Sequence, residues 1–101
     1  MRNALFNTVM IKNFKHKGLK KFFEKGSLSG IQAKHADRLR DRLAFLDAAV
    51  FIEDMAKPGY NLHELIGNLK GRWSIVVSGN WRITFEFKDG DAYIVDYEDY
   101  H

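Results

Sequence analysis

The last third of the chain contains three strand-like segments separated by two tight turns, and this pattern constrains the fold more than any other feature. The segments "WSIVV", "WRITFEF" and "AYIVDY" are rich in β-branched and aromatic residues, as strands are. The separating stretches "SGN" and "KDGD" are typical of hairpin turns. Because strands joined by such short turns pair antiparallel, the sequence predicts a meander of at least three strands.

The middle segment of this meander has two chemically different faces, since alternate residues of a strand point to opposite sides. Its apolar side consists of Trp81, Ile83, Phe85 and Phe87. Its polar side consists of Arg82, Thr84 and Glu86. We expect the aromatic residues, together with Trp73, to belong to the core and not to a base-stacking platform. The polar side is predicted to stay open.

The preceding residues predict helices. Leu19, Phe22 and Phe23 recur at helical spacing, and Gly26 is a typical helix end. From Ala33 onward a longer amphipathic helix is indicated by Ala36, Leu39, Leu43, Leu46 and Val50. "FIEDM" fits either a continuation of that helix or a turn. "MIKNF" (10–14) alternates as a half-buried strand does, and "NLHELIG" suggests a fourth strand in the sheet. The predicted fold class is α+β, with two N-terminal helices packed on one face of an antiparallel β-sheet of about four strands.

Length and composition limit the classes of protein. The chain has 101 residues, which predicts one domain, and it has no cysteine, which excludes disulfides, thiolate metal ligands and cysteine nucleophiles. No apolar run approaches the roughly 18 residues needed to span a bilayer, and the N-terminus lacks a signal-peptide pattern. We therefore expect a cytoplasmic protein with no membrane contact. Residues 1–9 are interpreted as an N-terminal extension, with Met10 as the candidate true start and 10–101 as the single domain.

Charge is unevenly distributed along the chain. Residues 1–42 hold 11 of the 16 Lys and Arg residues and 3 of the 13 acidic residues, a balance of +8, whereas residues 43–101 have a balance of −5. Such asymmetry suggests a basic face for a polyanion, although an ordinary solvated helical surface would produce the same pattern.

A small set of residues could perform phosphodiester chemistry on RNA. His63 lies in or beside a predicted strand, Arg82 is on the open face, and Asp99, Tyr100 and His101 follow the last strand. Histidine or a carboxylate can take a 2′-hydroxyl proton near neutral pH, and arginine can hold the charge that builds on the phosphate. The four histidines are far apart and match no metal-binding spacing, so neither a metal nor a cofactor is predicted.

Simpler interpretations of the same residues stay open. Arg82 on an exposed strand is commonly a cross-strand partner, here of Glu86 or Asp96. His63 beside an apolar residue is commonly a half-buried packing residue. A terminal His101 is commonly part of a solvated tail.

Several motifs in sequence order resemble the HigB toxins of the RelE superfamily. They are "MIKNFKHKGLK", the L-H-x-L-x-G run of Leu62, His63, Leu65 and Gly67, the pair "WSI" and "NWRITF", and the terminal "DYH". The resemblance runs from Met10 to His101. It implies a RelE-like, microbial RNase-like fold and a metal-independent mRNA interferase that cuts translated mRNA in the ribosomal A site. The implied partners are the ribosome, mRNA and a HigA-type helix-turn-helix antitoxin, with operator DNA contacted only through the antitoxin.

The same resemblance assigns roles to individual residues. His63, Arg82, Asp99, Tyr100 and His101 match the family's active-site positions: Arg82 would stabilise the phosphate, Tyr100 would orient the substrate, and the other three would share positioning and acid–base work. One position departs from the family pattern, because Ile66 stands where the H-x-x-K motif has lysine. Lys70 or Lys57 could supply the missing cation. The alternative is a catalytically weak or inactive RelE-like domain that acts as an antitoxin-bound regulatory or ribosome-binding module.

The resemblance also suggests a use for the basic residues, which is to contact ribosomal RNA phosphates. An antitoxin segment could instead occupy this face. The candidates are Lys12, Lys15, Lys17, Lys20, Lys21, Lys34, Arg38, Arg40, Arg42 and Lys70.

Overall fold

The computed structural model describes residues 10–69 and 71–100. Within them the regular elements are α1 (Lys17–Lys25), α2 (Ala36–Ala48), β1 (His63–Glu64), β2 (Arg72–Ser78), β3 (Trp81–Lys88) and β4 (Asp91–Asp99). Short 3₁₀ turns cover Ala33–His35, Ile52–Met55 and Gly67–Leu69. No helix in these ranges is long and apolar enough to cross a membrane. The predicted α+β class is confirmed.

The four strands form one antiparallel sheet in the order β1-β2-β3-β4, so the predicted meander is correct. The β3–β4 turn consists of Asp89 and Gly90, whose φ angles are 52° and 79°. Two consecutive positive φ angles match the right-handed twist of the flanking strands. The turn sets the pairing of Lys88 with Asp91, and a β-bulge between Thr84 and Glu86 then shifts the register so that Arg82 of β3 lies directly opposite Glu98 of β4.

The N-terminal segment lies along the free side of β4. It makes two parallel bridges, Ile11 with Ala92 and Phe14 with Val95, in place of the continuous strand that the alternation predicts. Asp47 Oδ1 accepts hydrogen bonds from the backbone N–H groups of Met10 and Ile11, which ties the segment to α2 as well. The segment therefore covers an edge of the sheet that would otherwise expose unpaired backbone groups.

Both helices pack on the same face of the sheet. Leu19 and Phe22 of α1 and Leu39, Leu43 and Leu46 of α2 are buried. They join one core cluster with Ile75, Ile83 and Phe85 of the strands. Trp73, Trp81 and Phe87 pack against this cluster, so the expected core role of the aromatic residues is confirmed. The other face of the sheet has no helix on it among the described residues.

Helix α2 ends earlier than its apolar periodicity indicates. It stops at Ala48, and Ala49 has an extended backbone with a ψ angle of 134°. The carboxylate of Asp54 accepts hydrogen bonds from the N–H groups of Val50 and Phe51, which stabilises a separate 3₁₀ turn. Val50 was predicted as part of the helical stripe, but it lies outside the helix and is exposed. "FIEDM" is a turn, not a continuation.

Two arginines connect α2 to the middle of the sheet. Arg42 Nε donates to the Val76 carbonyl at 2.7 Å, and Arg38 Nη1 donates to the Val77 carbonyl at 3.0 Å. The Arg42 guanidinium also lies 4.3 Å from the centre of the Tyr60 ring. Strand β1 is short and pairs with β2 only as far as Ser74. The two arginines therefore bind carbonyl groups further along β2 that the short edge strand does not pair.

Candidate active site

A row of polar side chains crosses the helix-free face of the sheet, because residues directly opposite each other in antiparallel strands point to the same side. His63 pairs with Ser74, Ser74 with Thr84, and Thr84 with Asp96. Ser74 and Thr84 are fully buried although they lie on this face. The surface is therefore a depression with a polar floor and not a flat solvated sheet.

Arg82 lies in the adjacent row and has an unusual environment. Its Nε and Nη1 atoms are buried, and neither has a hydrogen-bond partner among the described residues. Within the same residues no carboxylate lies at ion-pair distance from it. Glu98 is directly opposite, but Glu98 Oε2 accepts instead from the Thr84 hydroxyl at 2.7 Å. The cross-strand pairing of Arg82 with Glu86 or Asp96, the simpler interpretation of the sequence, is thus not seen in this part of the chain.

An unpaired, partly buried guanidinium is costly, because a buried charge normally requires a partner of opposite charge. The donors of Arg82 form a planar fork that matches a phosphate or carboxylate. The chemistry of this fork therefore suits an anion, which can reach the two buried nitrogens once the side chain turns towards solvent.

Tyr100 is positioned beside this cation by the end of β4. Its N–H donates to the Asn80 carbonyl in the β2–β3 turn at 2.8 Å. The Tyr100 ring centre lies 6.0 Å from the Arg82 guanidinium carbon. Asp99 is the last residue of β4, is exposed and pairs with Trp81. His101 lies outside the described residues.

His63 is exposed on β1, the edge strand of the sheet. Its Nδ1 lies 3.1 Å from the Asn61 carbonyl, which can only accept, so Nδ1 carries the hydrogen. In the neutral ring Nε2 then has a free lone pair, as a general base requires. Strands β1 and β3 are two positions apart in the sheet, or about 10 Å. Long side chains can bridge that distance around a bound phosphodiester.

Two features of this face were missed by the sequence interpretation. Arg72 Nη2 donates to Thr84 Oγ1 and to the Ile94 carbonyl, both at 3.2 Å. Glu98 completes this network through Thr84. The alternation Arg72, Trp73, Ser74 places Arg72 on the polar side of its strand, and this signal could have identified it. The contacts of Arg72 and Thr84 with residues of β4 depend on a register shift near Ile94. No turn motif in the sequence indicates this shift.

The basic residues have mixed environments. Arg38 and Arg42 bind backbone carbonyls inside the fold, Arg40 pairs with Asp37 at 2.9 Å, and Lys12 lies 3.9 Å from Asp91. The remaining described candidates are exposed: Lys15, Lys17, Lys20, Lys21 and Lys34. Lys70 lies outside the described residues. RNA contact stays a prediction for this whole set.

Ile66, at the position that departs from the family motif, is exposed, and Lys57 contacts an aromatic ring of α2. Ile66 is 88% exposed, whereas Lys57 Nζ lies 4.3 Å from the Phe45 ring centre. No group of three or more His, Cys, Asp or Glu side chains among the described residues could hold a metal ion.

Comparison with known proteins defines the class. Residues 12–101 match the family model described as the RelE-like toxin of the type II toxin–antitoxin system HigB. The chain is therefore a RelE-like toxin of a type II system, a class whose toxins have an antitoxin as partner.

Within that class the chain belongs to the HigB-like toxin family. It is 56% identical to the "Endoribonuclease HigB" of Proteus vulgaris over 92 residues, which cover 91% of this chain and 100% of the relative. It is 36% identical to "Toxin HigB-1" of Vibrio cholerae serotype O1 over 85 residues, covering 82% of this chain and 90% of that relative.

Proposed function

We propose that this toxin is an endoribonuclease that cuts mRNA on the ribosome, in the A site. The observation that carries the proposal is the buried guanidinium of Arg82, whose Nε and Nη1 lack partners among the described residues. Relatives named endoribonuclease and toxin support the same conclusion. We further propose a HigA-type helix-turn-helix antitoxin as partner, operator contact only through that antitoxin, and a cytoplasmic location.

The proposed reaction uses the RNA itself as nucleophile. The 2′-hydroxyl oxygen forms a bond to the adjacent phosphorus, and the bond from phosphorus to the 5′ oxygen breaks. A base takes the 2′-hydroxyl proton, and an acid gives a proton to the leaving 5′ oxygen. The products are a 2′,3′-cyclic phosphate and a 5′-hydroxyl, and no metal is needed to generate the nucleophile.

Three side chains on the helix-free face, and the two residues that flank Tyr100 in the sequence, match the groups that this reaction needs. Arg82 would bind the phosphate and stabilise the charge that develops on it. The Nε2 atom of His63 is a candidate base, since its Nδ1 is oriented by the Asn61 carbonyl. Tyr100 would hold the neighbouring nucleotide, and Asp99 and His101 would complete the acid–base and positioning groups.

Ile66 supports a second candidate, a weak or inactive toxin that acts through its antitoxin or by occupying the ribosome. An apolar side chain that is 88% exposed replaces the lysine of the family motif, which removes one cation from the neighbourhood of the phosphate. Losing one preorganised charge typically costs about 10²–10³ in rate. Replacing Ile66 by Lys should raise the cleavage rate if this position limits catalysis.

Induced expression in bacteria tests the proposal. We expect growth arrest with cleavage of translated messages, both abolished by Arg82→Ala because the phosphate loses its cation. Lys88→Ala is the matched control, since Lys88 is an exposed cation at the end of β3 that belongs to neither the proposed catalytic set nor the RNA-contacting set. Normal growth and intact messages with a folded wild-type protein that still binds its antitoxin would contradict the proposal. Ribosome association without cleavage would favour the second candidate.

A further inference from the structure

Glu98 faces the proposed phosphate site but does not neutralise its cation. Arg82 lies directly opposite Glu98 in the antiparallel β3–β4 pair. Side chains in such positions point to the same side, with Cβ atoms about 4.5–5.5 Å apart, which is close enough for an ion pair. Among the described residues the two side chains form no ion pair, and Nε and Nη1 of Arg82 have no hydrogen-bond partner. Another interaction therefore directs Glu98 away from Arg82.

The Thr84 hydroxyl is the group that holds the Glu98 carboxylate. Thr84 pairs with Asp96, so Glu98 is its diagonal neighbour on β4. The hydroxyl donates to Glu98 Oε2 at 2.7 Å, a distance typical of a hydrogen bond to a charged acceptor. Thr84 is 1% exposed, so water does not compete for this bond. Glu98 also lines a cavity of about 260 Å³ together with Arg72 and Tyr100, so packing alone leaves its side chain room to turn.

Arg72 fixes the direction in which the Thr84 hydroxyl donates. Arg72 Nη2 lies 3.2 Å from Thr84 Oγ1, and an arginine can only donate. Thr84 Oγ1 therefore accepts from Arg72, and the single hydroxyl hydrogen remains for Glu98. The positive charge of Arg72 also attracts this carboxylate and so competes with Arg82 for it.

A β-bulge in β4 holds Arg72 in this position. The register between β3 and β4 shifts between Thr84 and Glu86, and Ile94 in the bulge has a φ of 53°, which is rare for a β-branched residue. Asn13 Oδ1 accepts from the Ile94 N–H at 2.6 Å, and Arg72 Nη2 donates to the Ile94 carbonyl at 3.2 Å. Bulges beside functional sites commonly re-aim a group, and this one gives Arg72 a second acceptor.

We propose that Arg72 and Thr84 are positioning residues, which keep the Glu98 carboxylate away from Arg82 so that Arg82 can bind the scissile phosphate. The proposal rests on the RNA-cleaving function above. Without the Thr84 hydroxyl, Glu98 pairs with Arg82, and the phosphate has to displace it. A hydrogen bond to a charged group changes an equilibrium by about 10- to 100-fold, so cleavage should slow by about that factor. Removing the charge of Glu98 should reverse the loss.

Single-turnover cleavage on ribosomes programmed with an A-site codon that the wild-type toxin cuts tests this role. In this codon cleavage assay we expect Thr84→Val to be about 10- to 100-fold slower than wild type. Thr84→Ser restores the hydroxyl and should recover most of the rate. The double variant Thr84→Val and Glu98→Gln should recover it as well. Glu86→Gln removes a carboxylate from the same face of β3 and is the matched control, which should not rescue Thr84→Val.

The rescue separates positioning from other roles of these residues. If Glu98→Gln abolishes cleavage in both backgrounds, Glu98 takes part in the reaction itself and the proposal is overturned. A folded Thr84→Val variant that cleaves at the wild-type rate overturns it too. If Thr84→Val does not fold, Arg72→Met is the second variant, because it removes the donor that orients the hydroxyl. It should show the same loss and the same rescue by Glu98→Gln, and a wild-type rate would overturn the proposal.

The coupling between Arg82 and Glu98 tests the arrangement without relying on cleavage. Denaturant unfolding of wild type, Arg82→Met, Glu98→Gln and their double variant measures this coupling. We expect it to be small when Thr84 is present and to reach about 10-fold or more in the unfolding equilibrium constant in the Thr84→Val background. Equal coupling in the two backgrounds would overturn the proposal. If the wild type cuts no message but the coupling changes as expected, the proposed function fails and the assigned restraint on Glu98 is supported.

Discussion

Arg82, the residue proposed to bind the phosphate, has an environment that should reduce the stability of the fold that contains it. A buried donor without a hydrogen-bond partner costs about 1–3 kcal/mol. Two nitrogens of the Arg82 guanidinium, Nε and Nη1, are buried donors without a partner among the described residues. A methionine of similar length would fill the same space without that cost. This cost supports the proposed role of Arg82 in binding an anion.

We predict that Arg82→Met raises the free energy of unfolding by about 1 kcal/mol while it abolishes RNA cleavage. Denaturant unfolding of the isolated toxin measures the first effect, and the codon cleavage assay measures the second. Arg40→Met is the control, because that arginine is solvent-exposed and should change stability little. A loss of stability in Arg82→Met would show that Arg82 has structural partners, contrary to our interpretation.

His35 is a residue whose protonation should oppose folding. It is 3% exposed, and its Nδ1 lies 2.6 Å from the Tyr97 hydroxyl. Burial lowers the pKa of His35 from its ordinary value of 6.5, and the nearby charges of Lys34 and Arg38 lower it further. The neutral ring is thus the form that the folded protein favours.

Since the folded-state pKa of His35 is lowered, its contribution to stability is complete above pH 6.5 and is lost as pH falls from there towards the folded-state pKa. We predict that the free energy of unfolding decreases across this window and that His35→Gln reduces the slope. The measurement is denaturant unfolding at a series of pH values. Parallel profiles for His35→Gln and wild type would rule out this assignment.

At the scale of elements, a contact between two glycines fixes the loop that joins the helices. A Cβ atom added to Gly18 of α1 would lie 2.6 Å from the Gly30 carbonyl oxygen and 2.7 Å from its Cα. Both neighbours are backbone atoms, so no side chain can rotate away. The absence of a side chain at both positions allows this loop to pack directly on the helix.

We predict that Gly18→Ala destabilises the protein by about 1–3 kcal/mol, because overpacking outweighs the gain of about 1 kcal/mol in helix propensity. Thermal unfolding measures this change. Gly26→Asn is the control: Gly26 ends α1 with a φ of 73°, and nothing lies within 4 Å of an added Cβ. Asparagine tolerates this conformation, so the control should lose little. A more stable Gly18→Ala variant would contradict the close approach.

Elements with a regular periodic signal were predicted correctly, and features that depend on single side-chain hydrogen bonds or on the alignment of strands were not. The alternation of "WRITFEF" and the turn "KDGD" are local, so β3, its polar face and Arg82 could be assigned from sequence. The end of α2 depends on the Asp54 carboxylate that binds Val50 and Phe51. The cavity between Arg72 and Glu98 depends on how β2, β3 and β4 are aligned, which residue spacing does not fix.

At the scale of the whole molecule, the uneven charge of the sequence distinguishes the helical layer, which is basic, from the sheet, which is acidic. The exposed lysines of α1 and of the turn before α2 belong to the basic N-terminal part, whereas acidic residues predominate in the strands. This basic helical layer lies on the side of the sheet opposite the proposed RNA-cleaving face, and it would attract the proposed ribosome partner through many weak phosphate contacts. Such binding is recognised by its dependence on salt.

Lys20 and Lys21 are exposed on α1 and belong to the set predicted to contact RNA, so their removal tests this surface. We predict that the double variant Lys20→Gln and Lys21→Gln binds ribosomes more weakly. The slope of log affinity against log salt should be shallower by about 1.4, at roughly 0.7 per charge lost. Co-sedimentation with ribosomes at a series of salt concentrations measures both. The control is the double variant Lys57→Gln and Lys88→Gln, which removes the same net charge from a part of the protein outside α1. An equal effect of the two pairs would show that net charge, and not the α1 surface, governs binding.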